Sequence, residues 1–177
     1  REALEFGTVP ASLIVIGAGA IGLEMALIYD RLGVDVTVLE IMPQILPGSD
    51  RETATRLERT LKKQGLKVLT EMRIDEASVV ESRVSLRGVS LRTNAPFVFG
   101  AEKVLLATGR RPNSEGLSAG AAAVELGRGG FVKVNAALET SLPGIYAVGD
   151  LVGGKLLAHK AFHDALVAVE NASGGSR

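Results

Sequence analysis

Residues 17–22 read Gly17-Ala18-Gly19-Ala20-Ile21-Gly22, and Glu40 follows 18 residues after Gly22. These types at this spacing suit the binding of a dinucleotide. Gly17 permits a tight turn, Gly19 leaves the backbone bare for a pyrophosphate, and Gly22 lets a helix pack closely on a sheet. A helix starting near Ala20 would aim unpaired N–H groups and a partial positive charge at the anion. Glu40 is placed to accept hydrogen bonds from both hydroxyls of an adenosine ribose. A 2′-phosphate there would meet like charge, and no arginine stands between Glu40 and Gly48. The pattern therefore favours NAD over NADP.

A lone G-x-G-x-x-G proves little, since glycine-rich turns also occur in sheets that bind nothing; its meaning comes from the flanking elements. Leu13-Ile14-Val15-Ile16 is a short apolar run and predicts a buried strand. A nearly all-round apolar helix is predicted from Ala20 to Leu32, stopped at Gly33. Val34 to Leu39 predicts a second strand, closed by Glu40. Residues 41–48, with two prolines, read as a loop. Ser49 and Glu52 form the pattern of a capping box, and Ala54, Leu57 and Leu61 mark one face of a helix ending at Gly65. Leu66, Val68 and Thr70 predict a third strand. The order βαβαβ specifies half of a Rossmann-like, doubly wound parallel sheet.

The pattern then changes. Ser78-Val79-Val80, Val84-Ser85-Leu86, Val89-Ser90-Leu91 and Phe97-Val98-Phe99 predict short strands of an inserted antiparallel meander. The sheet resumes at Val104-Leu105-Leu106-Ala107 and breaks at Gly109, a place where ligands sit in open α/β sheets. Residues 116–140 read as irregular, with a short strand at Phe131–Val134. A further strand is expected at Ile145–Val148 and a helix from Leu156 to Val169, before a frayed Gly/Ser tail.

Composition narrows the classes. Twenty Lys and Arg balance twenty Asp and Glu, so no basic excess points to nucleic acid or an anionic membrane. No apolar run reaches membrane-spanning length, and Arg1-Glu2-Ala3 does not read as a secretory leader. Cysteine is absent, which excludes a disulfide framework and a thiolate nucleophile in this chain and fits a cytoplasmic setting. His159 and His163 share a helical face, but no third ligand accompanies them, so no metal site is expected. Lys62-Lys63 suits a helix C-terminus; Arg111, just past a strand end, is placed for the edge of a dinucleotide.

Four strings together resemble the dihydrolipoamide dehydrogenase branch of the FAD-dependent pyridine nucleotide–disulfide oxidoreductases. They are Val15-Ile16-Gly17 to Glu24, Ala107-Thr108-Gly109-Arg110-Arg111-Pro112-Asn113, Thr140-Ser141-Leu142-Pro143-Gly144-Ile145-Tyr146-Ala147-Val148-Gly149-Asp150, and Leu157-Ala158-His159-Lys160-Ala161. The last is the most specific. The resemblance implies that Gly17, Ala18, Gly19, Ala20, Ile21, Gly22, Leu23 and Glu24 line NAD, with Glu40 on the ribose and Ile74 beside the adenine. It places Gly109 on the nicotinamide side, Asp150 on the ribityl chain of FAD, and Leu156, Leu157, Ala158 and His159 beside the isoalloxazine. No catalytic residue is assigned in this chain. Lys155 and Phe162-His163-Asp164 depart from the family pattern near the flavin.

The resemblance also implies two parts: an NAD(H)-binding domain over residues 1–118 and an incomplete return segment of the FAD-binding domain over 119–177. The family's first glycine motif, its redox cysteine pair and its interface domain do not occur in this sequence. The expectation is a portion of a flavoenzyme that binds NAD(H) weakly and has no turnover alone. The apolar faces at Ile145–Val148 and on the last helix should then be exposed. The whole enzyme would be a homodimer able to serve 2-oxoacid dehydrogenase complex components. The competing readings are a flavin-dependent NADH reductase with another acceptor and a non-catalytic NAD-binding module.

Overall fold

The computed structural model describes residues 2–117 and 124–175. It divides into two compact units, residues 1–109 and 110–177. The expected boundary between 118 and 119, and much of the alanine run, lie outside the described residues.

The first unit is built on β1 (Ser12–Ile16), α1 (Ala20–Arg31), β2 (Asp35–Leu39), α2 (Arg51–Lys63) and β3 (Lys67–Leu69). With β7 (Lys103–Leu106) the strands form an all-parallel sheet in the order β3-β2-β1-β7. The register sets Val15 between Val38 and Leu105. Because strand side chains alternate, β1 feeds two cores. Leu13 and Val15 pack with α1 and α2 through Leu23, Ala26, Ala54 and Leu61. Ile14 and Ile16 face the opposite side, with Leu39, Leu86, Ala101 and Val104. That second face is covered by an antiparallel sheet of β4 (Met72–Val80), β5 (Arg83–Ser90) and β6 (Pro96–Ala101). The unit thus has three layers: helices, parallel sheet, meander.

Both helices stop where their glycines direct. Gly33 donates to the Asp30 carbonyl and Val34 to that of Tyr29; Gly65 and Leu66 repeat this with Lys62 and Leu61. Each is a Schellman ending. The start of α2 differs from the expected capping box. Asp50 is the N-cap, its carboxylate accepting the Thr53 N–H at 2.9 Å, and this bond holds its carboxyl below the usual carboxylate range. Asp50 occupies the position from which a side-chain oxygen reaches the N–H three residues on, one residue closer than Ser49.

The meander has three strands where four pieces were expected. Val84–Leu86 and Val89-Ser90 merge into β5, which runs through Gly88 and ends one residue before Leu91. Ser78-Val79-Val80 is only the end of β4, which starts at Met72. Glu81 and Ser82, both at positive φ, make the two-residue hairpin turn that links Val80 to Arg83.

The second unit contains 3-10 turns at Arg128–Gly130 and Gly149–Val152 and the helix α3 (Ala158–Ala172). Phe131–Val134 and Ile145–Val148 do not form strands. Each contributes one antiparallel bridge, Val132 to Leu126 and Tyr146 to Glu139. The helix begins two residues later than expected, with Leu157 as its N-cap. On it Phe162, Leu166 and Val169 are largely exposed, as expected; of the 145–148 segment Ile145 is exposed, whereas Ala147 is buried and Tyr146 and Val148 are half-buried. No described helix is long and apolar enough to cross a membrane.

Candidate functional site

A cleft of about 490 Å3 opens at the carboxyl ends of β1, β2 and β7, where Ile16, Leu39 and Ala107 meet. The chain leaves β1 toward β2 on one side, and β7 returns on the other. Such a switch point is where open α/β sheets bind ligands. Gly17, Gly19, Glu40, Ile74 and Gly109 all line the cleft. Five residues assigned from sequence, spread over 93 positions between Gly17 and Gly109, therefore converge on one space.

The glycines have distinct steric roles. Gly17 has φ +105°, and a Cβ there would stand 2.4 Å from the Ala107 carbonyl oxygen. At Gly22 a Cβ would fall 2.0 Å from the Gly17 carbonyl oxygen. Both positions are closed to any side chain. Gly19 is the N-cap of α1 with φ −73°, no side chain caps the helix, and a Cβ there would meet nothing within 4 Å. It leaves space open in front of the helix N-terminus, where unpaired N–H groups attract an anion.

Glu40 is buried, at 6 % exposure. Its Oε2 accepts the Ala18 N–H at 2.7 Å and its Oε1 accepts the Met42 N–H at 2.8 Å. The Ala18 carbonyl in turn accepts the Leu46 N–H at 2.8 Å. The carboxylate thus ties the glycine turn to the loop after β2. A carboxylate offers about four acceptor positions; two are used, so one remains on each oxygen.

Of the other residues assigned to NAD, Ala18 is fully buried and Leu23 belongs to the helix-side core. Gly22 is buried, and Ile21 and Glu24 are exposed on α1. Ala20 is half-buried in its first turn. Ile74 sits at a β-bulge in β4, opposite Gly88; a bulge re-aims a side chain. Ile41, Met42, Pro47, Met72 and Thr108 also line the cleft and were missed, since nothing in their types signals it.

In the second unit the Asp150 carboxylate pairs with Arg110 at 2.8 Å. Asp164, on α3, accepts the Gly149 N–H at 3.1 Å and the Lys160 ammonium at 2.5 Å. Burial pushes the Asp164 carboxyl up, but Lys160, the Gly149 N–H and His163 outweigh it, and the net direction is down. The turn carrying Asp150 is thereby pinned to α3. Leu156 and Leu157 are half-buried ahead of that helix; Ala158 and His159 are exposed.

Residues 1–169 match the family model described as pyridine nucleotide-disulphide oxidoreductase. The chain is 45% identical over 166 residues to a dihydrolipoyl dehydrogenase of Thermus scotoductus, covering 94% of this chain and 36% of that protein. Against the dihydrolipoyl dehydrogenase of Chlorobaculum tepidum it is 43% identical, covering 99% and 37%. The crystal structure of LpdA from Mycobacterium tuberculosis superposes with a TM-score of 0.85 at 29% identity, covering 99% of this chain and 37% of that one. The HOCl-induced flavoprotein disulfide reductase RclA from Escherichia coli, solved as a Cu(II) complex, gives 0.82 at 25%, covering 96% and 37%. The chain thus spans a little over a third of the length of these relatives. With the glycine turn, the Gly149-Asp150 turn and nearly the whole chain inside one match, this protein belongs to the pyridine nucleotide-disulphide oxidoreductase family.

Proposed function

We propose that this chain is the NAD(H)-binding portion of a flavoprotein dihydrolipoyl dehydrogenase, with residues 1–118 holding NAD(H) and 119–177 contributing to the FAD-binding domain. The observation that carries this reading is the cleft at the switch point, lined by Gly17, Gly19, Glu40, Ile74 and Gly109.

The residues fit a dinucleotide. The space before Gly19 admits a pyrophosphate, and the helix N-terminus behind it supplies N–H donors. Glu40 keeps an acceptor position on each oxygen for the ribose diol, and its charge repels a 2′-phosphate. Ile74, Met42 and Met72 give an apolar wall for adenine. Gly109, at φ +133° with open space around it, lets the nicotinamide end lie against the backbone. Bound nicotinamide supplies the hydride acceptor or donor; the chain supplies position. Toward FAD, Asp150 offers acceptor capacity beyond its bond to Arg110, and the 156–159 segment leads from its turn into α3. The whole protein's turnover, its homodimer and its service to 2-oxoacid dehydrogenase complexes in the cytoplasm belong to this proposal. The likeness to RclA favours, as a second reading, a flavin-dependent reductase with another acceptor.

Calorimetric titration with NADH and NADPH tests the binding. NADH should bind and NADPH bind less tightly; no NADH binding up to millimolar concentration overturns the proposal. Lipoamide-dependent NADH oxidation by the whole protein separates the two readings.

A further inference from the structure

We infer that Met42 is an oxidation site through which peroxide-class oxidants control dinucleotide binding. The inference rests on the NAD(H) reading of the cleft. The chain has three methionines and no cysteine, so its thioethers are the only sulfur an oxidant can reach. Met25 packs half-buried against the helix-side core, and Met72, which also lines the cleft, is half-buried against the meander-side core. Met42 is 48% exposed and lines the cleft. Its backbone is fixed: the N–H donates to Glu40 at 2.8 Å and the carbonyl accepts the Glu71 N–H at 3.1 Å. The side chain is therefore carried on an anchored backbone in the cleft wall, two residues after the carboxylate proposed for the ribose.

The step balances simply. The thioether sulfur takes one oxygen atom from hydrogen peroxide, the O–O bond breaks, and water leaves; sulfur is oxidised by two electrons and peroxide is reduced by two. The sulfoxide turns a flexible apolar wall into a polar, chiral one. Its oxygen is an acceptor only, added to a cleft wall shared with Glu40, which is also acceptor-only. An adenine face loses its apolar partner there. Methionine sulfoxide reductases reverse the change, so the effect can act as a switch.

Treating the chain with hydrogen peroxide, locating oxygen addition by peptide mass, and titrating NADH before and after tests the inference. Met42 should be oxidised before Met25 and Met72, and more slowly in the presence of NADH. NADH affinity should fall about fivefold or more, and return after reductase treatment. Met42→Leu removes the oxidisable sulfur, so whatever affinity it has for NADH before treatment should be unchanged by peroxide. Oxidation of Met25 or Met72 first, unchanged affinity after Met42 is oxidised, or an equal loss in Met42→Leu each overturns the inference alone. Failure of the untreated chain to bind NADH overturns the dinucleotide reading as well.

Discussion

Glu40 and Ala18, 22 residues apart in sequence, are joined by a 2.7 Å hydrogen bond from the Ala18 N–H to the Glu40 carboxylate. The acid at the end of β2 therefore does two things. It holds the glycine turn in place, and it presents charge to the cleft. Both roles come from one buried carboxylate whose two oxygens each take a backbone N–H.

Glu40→Gln separates these roles. The amide nitrogen cannot accept, so one of the Ala18 and Met42 N–H groups loses its partner. Stability should fall by about 1–3 kcal/mol, the range for a buried donor left unpaired, read as a lower urea midpoint. NADH affinity should also fall and the preference over NADPH should relax. An unchanged preference would show that Glu40 does not face the ribose; an unchanged midpoint would show that its backbone bonds carry no weight.

Gly19 and Gly22 should respond oppositely to alanine. At Gly22 the new Cβ would stand 2.0 Å from the Gly17 carbonyl oxygen, and overpacking of this kind costs about 1–3 kcal/mol. At Gly19 the backbone is ordinary and the space is open, so Gly19→Ala should fold within about 0.5 kcal/mol of the parent. It should nevertheless bind NADH about tenfold more weakly, about 1.4 kcal/mol, because the methyl occupies the approach to the helix N-terminus. Thermal unfolding and calorimetry on both variants decide it. A Gly19→Ala chain that binds like the parent removes the pyrophosphate from this turn.

The first unit was legible where pattern and chemistry agree. The β1 run, the glycine turn, Gly33, Gly65 and Glu40 each carry a local signal that the tertiary structure uses unchanged. The meander was legible in kind but not in its strand count. Arg87-Gly88 looks like a turn, yet Gly88 sits inside β5, where the Arg73 carbonyl comes so close that a Cβ would meet it at 2.0 Å and only glycine fits. The first half of β4 hides behind charge: Arg73 and Asp75 pair across its solvent face at 2.7 Å. The hairpin turn uses Glu81-Ser82 at positive φ, without the usual Asn-Gly signal. In the site, the glycines and Glu40 were readable. Met42 and Pro47 were not, since their place depends on how the loop after β2 folds back, fixed by the Leu46 N–H on Ala18; nor was Met72, brought to the cleft at the start of β4 by its N–H on the Glu40 carbonyl. Phe131–Val134 and Ile145–Val148 show the opposite failure: β-prone residues with a strand-like pattern that make only single bridges.

Asp164 links α3 to the turn bearing Asp150, and its titration should be visible in stability. Its folded carboxyl is depressed, with burial opposed and outweighed by Lys160, the Gly149 N–H and His163. A depressed carboxyl binds fewer protons folded than unfolded. Its stabilisation is therefore full above the unfolded value, about pH 4, and is lost as pH falls through the folded value. Asp164→Asn should flatten the fall of the melting temperature with acidification in that window and leave the slope near neutrality unchanged. Equal slopes in the acid window would show that the bonds to Gly149 and Lys160 contribute no net stability.

The last prediction concerns the outer face of α3. Phe162, Leu166 and Val169 lie at i, i+4 and i+7, which places them on one helical stripe, and they are 75%, 60% and 65% exposed. Scattered apolar residues are ordinary on a surface, but a contiguous stripe marks a contact face or an association hazard. This chain alone should therefore bind a hydrophobic dye and self-associate as its concentration rises. The double change Phe162→Ser and Leu166→Ser should lower both effects. Neither side chain belongs to a core cluster, so thermal stability should stay within about 0.5 kcal/mol of the parent for each site. Dye fluorescence and sedimentation, run beside a melting curve, read all three quantities. A parent chain that sediments as a clean monomer and ignores the dye would show that the stripe is too small to act; a variant that unfolds would show that it is part of the core.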